Sequence, residues 1–298
     1  MEDLHFGWFN DPFEVAAIAQ QQPFQTFSDT PASEVGDIPD SYFSWKVFEN
    51  VTRSKMLNEN QGSIGSCVSF GTAAAIECTM IHEIASGSNE DFREICQEVI
   101  YGGSRVEIGG NRISGDGSIG AWAAQFVTKY GFLDRGVYLS GKYDLTKYDV
   151  SRCKLWGTKG VPDDLEPEVK KHPVKTITQV KSWDEAKKAL AQGYGISVCS
   201  NQGFKMVRDK DGFCTDSGRW GHCMALIGYR TKGREGGFIK NSWGADAMTG
   251  PIGEGDGPPS GFWADSAVVD RMLKAGDSWA FSAVEGFPKK DIIDWSTI

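Results

Sequence analysis

The chain has no hydrophobic run approaching the roughly 18 apolar residues that a membrane-crossing helix needs. Nor has it an excess of basic residues: 31 Lys and Arg stand against 40 Asp and Glu, a formal charge of −9. That balance gives no reason to expect nucleic acid or an anionic membrane as a partner. The opening stretch, MEDLHFGWFNDPFEVAAIAQ, is acidic and lacks a basic segment leading into an apolar core, so no secretory signal peptide is expected. No two cysteines form a C-x-x-C pair. The seven present (Cys67, Cys78, Cys96, Cys153, Cys199, Cys214 and Cys223) are an odd number. Free thiols in the cytoplasm or another reducing, non-secreted setting, a virion included, are the expectation. A zinc site from Cys199, Cys214, His222 and Cys223 fits no common ligand spacing, and neither a metal nor an organic cofactor is expected.

What is there is a chain of 298 residues with 40% hydrophobic and 24% charged residues, enough for one large domain or two lobes. Residues 1–36 carry six aromatics (Phe6, Trp8, Phe9, Phe13, Phe24 and Phe27), too many for a solvated tail. They read as an arm that packs on its own body or on a docking partner. From Cys67 apolar residues recur at helical steps through Phe70, Ala73, Ala74, Ile81 and Ile84 to a stop near Gly87. A second helix is expected from Ser118, as N-cap, to Tyr130, and a third over about 183–192 with the capping box Ser182/Glu185. Beyond residue 193 the period changes to that of strands, at GISVCS (195–200), HCMALIGY (222–229) and GFIKNSW (237–243). Residues 245–260 read as a Gly/Pro-rich loop. A helix-rich first half and a strand-rich second half imply an α+β, two-lobed architecture.

One constellation carries chemistry. Cys67 stands at the start of a helix, behind the small residues Gly65 and Ser66, where unpaired N–H groups and the helix dipole favour a thiolate. A base for that nucleophile must be one of four histidines. His5 is in the arm, and His172 lies in the charged KKHPVK loop. His82 is on the same helix, roughly 22 Å away by helical rise. His222 opens a glycine-flanked strand, and Asn241 ends the next one. If the two pair as a hairpin, the Asn241 amide oxygen could orient the imidazole, with Trp243 covering the bond. Gln61 can join the backbone N–H of Cys67 as a donor to an oxyanion.

The order Gln…Cys…His…Asn, with these local sequences, resembles the papain-like cysteine peptidases. IPDSYFSW (38–45), NQGSIGSCVSF (60–70), SGDGSIGAWAAQFVTKYG (114–131), GHCMALIGY (221–229) and GFIKNSWG (237–244) are similar to five ordered blocks of that family. The resemblance implies a papain-like α+β fold of two lobes over residues 37–298. The helical lobe would cover about 60–135 and the antiparallel β-rich lobe about 175–285, with the active-site cleft between them. It also implies Cys67 as nucleophile, His222 as acid/base, Asn241 as orienter and Gln61 as oxyanion donor. Gly65, Ser66, Gly117, Ser118 and Gly221 would line the path of an extended substrate. Ile119, Val198 and Trp220 match positions near the main specificity pocket, suggesting an apolar side chain beside the cleavage point. Trp243 would act as a structural lid.

Two departures stand out. Ile64 replaces a family cysteine, and Gly115 occupies the place of its disulfide partner, so the bridge is lost as a unit. Val68 replaces the tryptophan after the nucleophile, which alters the cleft wall. The expected activity is hydrolysis of peptide bonds in a peptide or protein substrate, with the arm before Ile38 as one candidate substrate. The alternatives are a catalytically quiet papain-fold assembly protein, such as a phage virion component, or an amidase for cell-wall peptides using the same dyad.

Overall fold

The computed structural model describes residues 5–292. The arm leads into helix α1 (Pro12–Ala19), whose N-cap Asp11 accepts the N–H groups of Phe13 and Glu14. Strand β1 (Ser41–Phe43) and helix α2 (Ser44–Thr52) open the body, and helix α3 (Cys67–Ala85) runs through its centre. Helices α4 (Gln97–Gly103) and α5 (Gly120–Lys129), the short pair β2 (Val137–Tyr138) and β3 (Tyr143–Asp144), and helices α6 (Val150–Lys159) and α7 (Glu166–Val169) complete a helical lobe. Then follow β4 (Thr176–Gln179), α8 (Trp183–Ala191), β5 (Ile196–Arg208), β6 (Cys214–Arg230), β7 (Gly236–Lys240), β8 (Gly261–Asp265), α9 (Ser266–Leu273) and β9 (Asp277–Ser282). The strands form a seven-stranded sheet in the order β4-β9-β5-β6-β7-β8, with β1 also paired to β6. Its pairings are antiparallel.

The expected helix from Cys67 is present, and so is the Ser182/Glu185 capping box at α8. The helix expected from Ser118 begins two residues later, at Gly120. Ser118 is no cap: its hydroxyl donates to Ser104 Oγ at 2.9 Å, while a distant carboxylate, Asp277, takes the Gly120 N–H at 2.8 Å. Strands β5 and β6 are longer than the expected runs because their polar far ends still pair, with shifts in register past Ser200. Strand β7 ends at Lys240, which leaves Asn241 just beyond it.

One feature sets the spacing between helix and sheet. A Cβ on Gly71 of α3 would lie 2.7 Å from Cys223 Sγ and 3.1 Å from the Met224 carbonyl oxygen. Glycine inside a helix costs about 1 kcal/mol relative to alanine, and here it lets α3 lie directly on β6. That contact carries the start of α3 to the middle of the sheet, where Cys67 meets the strand bearing His222.

Candidate active site

Cys67 is the first residue of α3, and its side chain is fully buried. Around the thiol are the backbone N–H groups of Cys223, Gly7 and Val68, which favour its ionised form. Burial outweighs them, and with the neighbouring Cys223 thiol it pushes the Cys67 pKa well above the ordinary thiol value. All seven cysteines are free.

His222 and Asn241 meet through the β6–β7 hairpin, in which Ala225 pairs with Lys240. Asn241 Oδ1 accepts the Ser242 N–H at 2.8 Å, which identifies that atom as the oxygen. The 2.8 Å contact between His222 Nε2 and the same atom therefore makes Nε2 the donor. In the neutral ring the lone pair is left on Nδ1, a buried atom with no hydrogen-bond partner among the described residues. Trp243 stacks on the imidazole at 4.4 Å between centroids and 22° between planes. Burial drives the imidazole pKa down to about 4, against the opposing effect of the Asn241 bond.

Gln61 is held from both ends. Its Oε1 accepts the Ser242 hydroxyl at 2.6 Å, its backbone N–H donates to the Ser242 carbonyl at 2.8 Å, and its Nε2 donates to the Ile64 carbonyl at 2.8 Å. A buried ion pair between Glu59 and Lys240 fastens the same loop to β7. Ile64 packs with Tyr101 and Cys153. The loop around Gly115 is held by the buried Arg105 guanidinium, which donates to the carbonyls of Ile113, Gly115, Gly117 and Gly157.

The space above these residues is filled by the arm. The second N–H of Gln61 Nε2 reaches the His5 carbonyl at 3.0 Å, and the Trp243 indole N–H reaches the same oxygen at 3.3 Å. Phe6 lies against Trp220, His222 and Trp243 at centroid distances of 5.9, 6.0 and 5.7 Å. Gly7 and Trp8 donate their N–H groups to the Gly221 carbonyl. The Ser118 N–H donates to the Gly7 carbonyl at 2.8 Å, and Phe9 N–H to the Ser118 carbonyl at 3.0 Å. Only glycine fits at position 7, since a Cβ there would stand 1.9 Å from the Gly65 carbonyl oxygen. Behind this segment α1 buries Val15, Ile18 and Ala19, and Glu14 bonds both Trp122 and Arg112.

Gly65, Gly117, Ser118 and Gly221 thus lie along the arm. Ser66 turns aside, its hydroxyl 3.4 Å from the Tyr148 hydroxyl. Ile119 joins Trp8 in the helical-lobe core. Val198 does not: alternation along β5 puts it in the other core with Met224, and its neighbour Cys199 faces Trp8's side instead. Trp220 touches Phe6 rather than Trp8. Sequence reasoning missed Asp277, whose carboxylate receives the Trp8 indole N–H at 2.7 Å. An acid opening the short run DSWAFS was the signal available for it.

A profile of the papain family of cysteine proteases matches residues 41–250. The chain belongs to that family, and it is a papain-like cysteine peptidase. A family member of this kind acts on peptide or protein substrates. Solved structures agree on the fold. Xylellain, a cysteine protease from Xylella fastidiosa, superposes with a TM-score of 0.60 at 17% identity, covering 96% of this chain and 95% of its own. Procathepsin L 3 from the larval midgut of Tenebrio molitor gives 0.52 at 14% identity, covering 94% and 84%. The ragweed pollen allergen Amb a 11, a cysteine protease in its proform, gives 0.54 at 18%, covering 91% and 75%. No curated protein sequence matches the chain. Among the described residues no helix is long and apolar enough to cross a membrane.

Proposed function

We propose that this chain is a cysteine endopeptidase that acts through Cys67 and His222 and is held shut by its own residues 5–9. The Cys67 sulfur attacks the carbonyl carbon of a peptide bond and forms a thioester. The His222 imidazolium gives its proton to the departing amine. Water, deprotonated by the same imidazole, then adds to the thioester and releases the acid and the thiol. Asn241 keeps the ring in the tautomer that leaves Nδ1 free to take the thiol proton. Gln61 Nε2 and the Cys67 N–H stabilise the oxyanion.

The observation that carries this reading is the position of the His5 carbonyl, bound to the Gln61 donor that an oxyanion would use. The arm also acts electrostatically. It adds to the burial that raises the thiol pKa and lowers that of the imidazole, against the smaller opposing effect of its own Gly7 N–H on the thiol. In this reading the thiolate–imidazolium pair is suppressed while the arm is in place. Two fold relatives, procathepsin L 3 and the Amb a 11 proform, are precursor forms, in keeping with a covered cleft.

The test uses the full chain carrying Phe6→Ala and Trp8→Ala, treated with iodoacetamide at mildly acidic pH. Cys67 should be alkylated far faster than the other six thiols and far faster than in the unaltered chain, and His222→Ala should abolish the advantage. Equal labelling of all seven thiols would remove Cys67 and His222 from these roles.

A further inference from the structure

Asp277, at the start of β9, is fully buried. Its carboxylate accepts the Gly120 N–H at 2.8 Å and the Trp279 indole N–H at 2.8 Å, with the Ala121 N–H facing it as well. A carboxylate offers about four acceptor positions. Three are therefore met by donors that belong to the folded body. The fourth is met by Trp8 of the arm, whose indole N–H lies 2.7 Å from Oδ2. When the arm leaves, a buried acceptor is left facing the space that Trp8 had filled, among the apolar residues Ile119, Cys199 and Trp279 of the same core. An unmet buried carboxylate position is costly, so the next occupant is favoured if it brings both an apolar body and a donor at its end.

We propose that Asp277 is a specificity-determining residue. The pocket that Trp8 fills selects substrate side chains with a long apolar body ending in an N–H group, tryptophan and arginine, over phenylalanine and leucine. This rests on the cysteine-peptidase reading above. The backbone supports it independently: Trp8 enters the pocket from a segment bonded to Ser118 and Gly221, so an extended peptide on the same two residues delivers a side chain to the same place. Sites built to hydrogen-bond a substrate group discriminate far more sharply than purely apolar pockets.

The experiment uses the full chain with Phe6→Ala and Trp8→Ala, and peptidyl epoxide probes that carry Trp, Arg, Phe or Leu at each of the three positions nearest the epoxide. Labelling of Cys67 is followed by intact mass. At one position the Trp and Arg probes should react at least about tenfold faster than the Phe and Leu probes. Adding Asp277→Asn should bring that ratio close to one, with circular dichroism and the thermal midpoint of the variant showing that the fold has survived the change. Should Asp277→Asn fail to fold, the ranking with Asp277 intact still decides. Phe or Leu probes that match or outpace Trp and Arg at all three positions overturn the proposal. Peptides of the same four sequences separate the two readings. Selective labelling without hydrolysis of any peptide keeps the pocket assignment and sinks the peptidase mechanism. Equal labelling by all probes with brisk hydrolysis does the reverse, and no labelling of Cys67 by any probe overturns both.

Discussion

Two histidines are fully buried, His82 near the far end of α3 and His222 beside its start, and they are buried in different ways. His82 is enclosed by the body itself. Tyr42 OH lies 3.4 Å from its Nδ1, and the turn at Gly193 presses on its ring. Burial, with a smaller effect from Lys290, lowers its pKa to about 3. His222 has Asn241 and Trp243 on its own lobe, but Phe6 of the arm covers its edge. The first burial is permanent and contributes to stability. The second depends on the arm, and in the proposed mechanism it separates a resting site from a working one.

Removing each ring breaks this comparison most sharply. In the Phe6→Ala/Trp8→Ala background, His222→Ala should lower peptide hydrolysis by about a hundred- to ten-thousand-fold, with little change in Tm. His82→Ala should do the opposite, costing about 2 kcal/mol in urea unfolding while hydrolysis per folded molecule stays level. Next in size is Gln61→Ala, which should reduce kcat by about a hundred- to a thousand-fold in the same background.

Acid sharpens the comparison. With the arm in place His222 titrates near 4 against an ordinary value of 6.5, so the closed state holds fewer protons than the open one between those values. The closed state therefore weakens as pH falls through that window, by up to about tenfold per pH unit in the opening equilibrium. Hydrogen exchange at Gly7, Trp8 and Phe9, corrected for the intrinsic rate, should quicken from pH 6.5 to pH 4. An NMR titration should find the His222 pKa rising in the arm variant while that of His82 stays put. The smallest effect is that of Trp243→Ala, which removes the stacking on His222 and one donor to the His5 carbonyl. About 1 kcal/mol of arm binding should be lost, read as roughly fivefold faster alkylation of Cys67 in the intact chain.

The sequence displayed the local parts of this site well. Cys67 at a helix start, the Ser182/Glu185 box, the strand bearing His222 and the strand that ends just before Asn241 all follow from patterns a few residues long. The position of Ser118 was misread because a preference for N-caps is local, whereas the group that meets α5 comes from Asp277, 157 residues away in the chain. Val198 stands one residue of strand alternation away from the side of β5 that faces Trp8, and it joins the other core. The arm's aromatic content announced that it packs. Where it packs depends on Gly7 approaching Gly65, a contact that no pattern in residues 1–36 reveals.

Ile64 and Arg105 do between them what a covalent bridge does in relatives that have one: they hold the loops at Cys67 and Gly115. A cross-link persists when the chain unfolds and limits the disorder of the unfolded state, but apolar packing and guanidinium–carbonyl bonds vanish with the fold. The unfolded chain here is consequently unrestrained, and the denaturant midpoint should not respond to dithiothreitol. Folding requires no step of oxidation or thiol pairing, and a strongly reducing milieu costs the loops at Cys67 and Gly115 nothing.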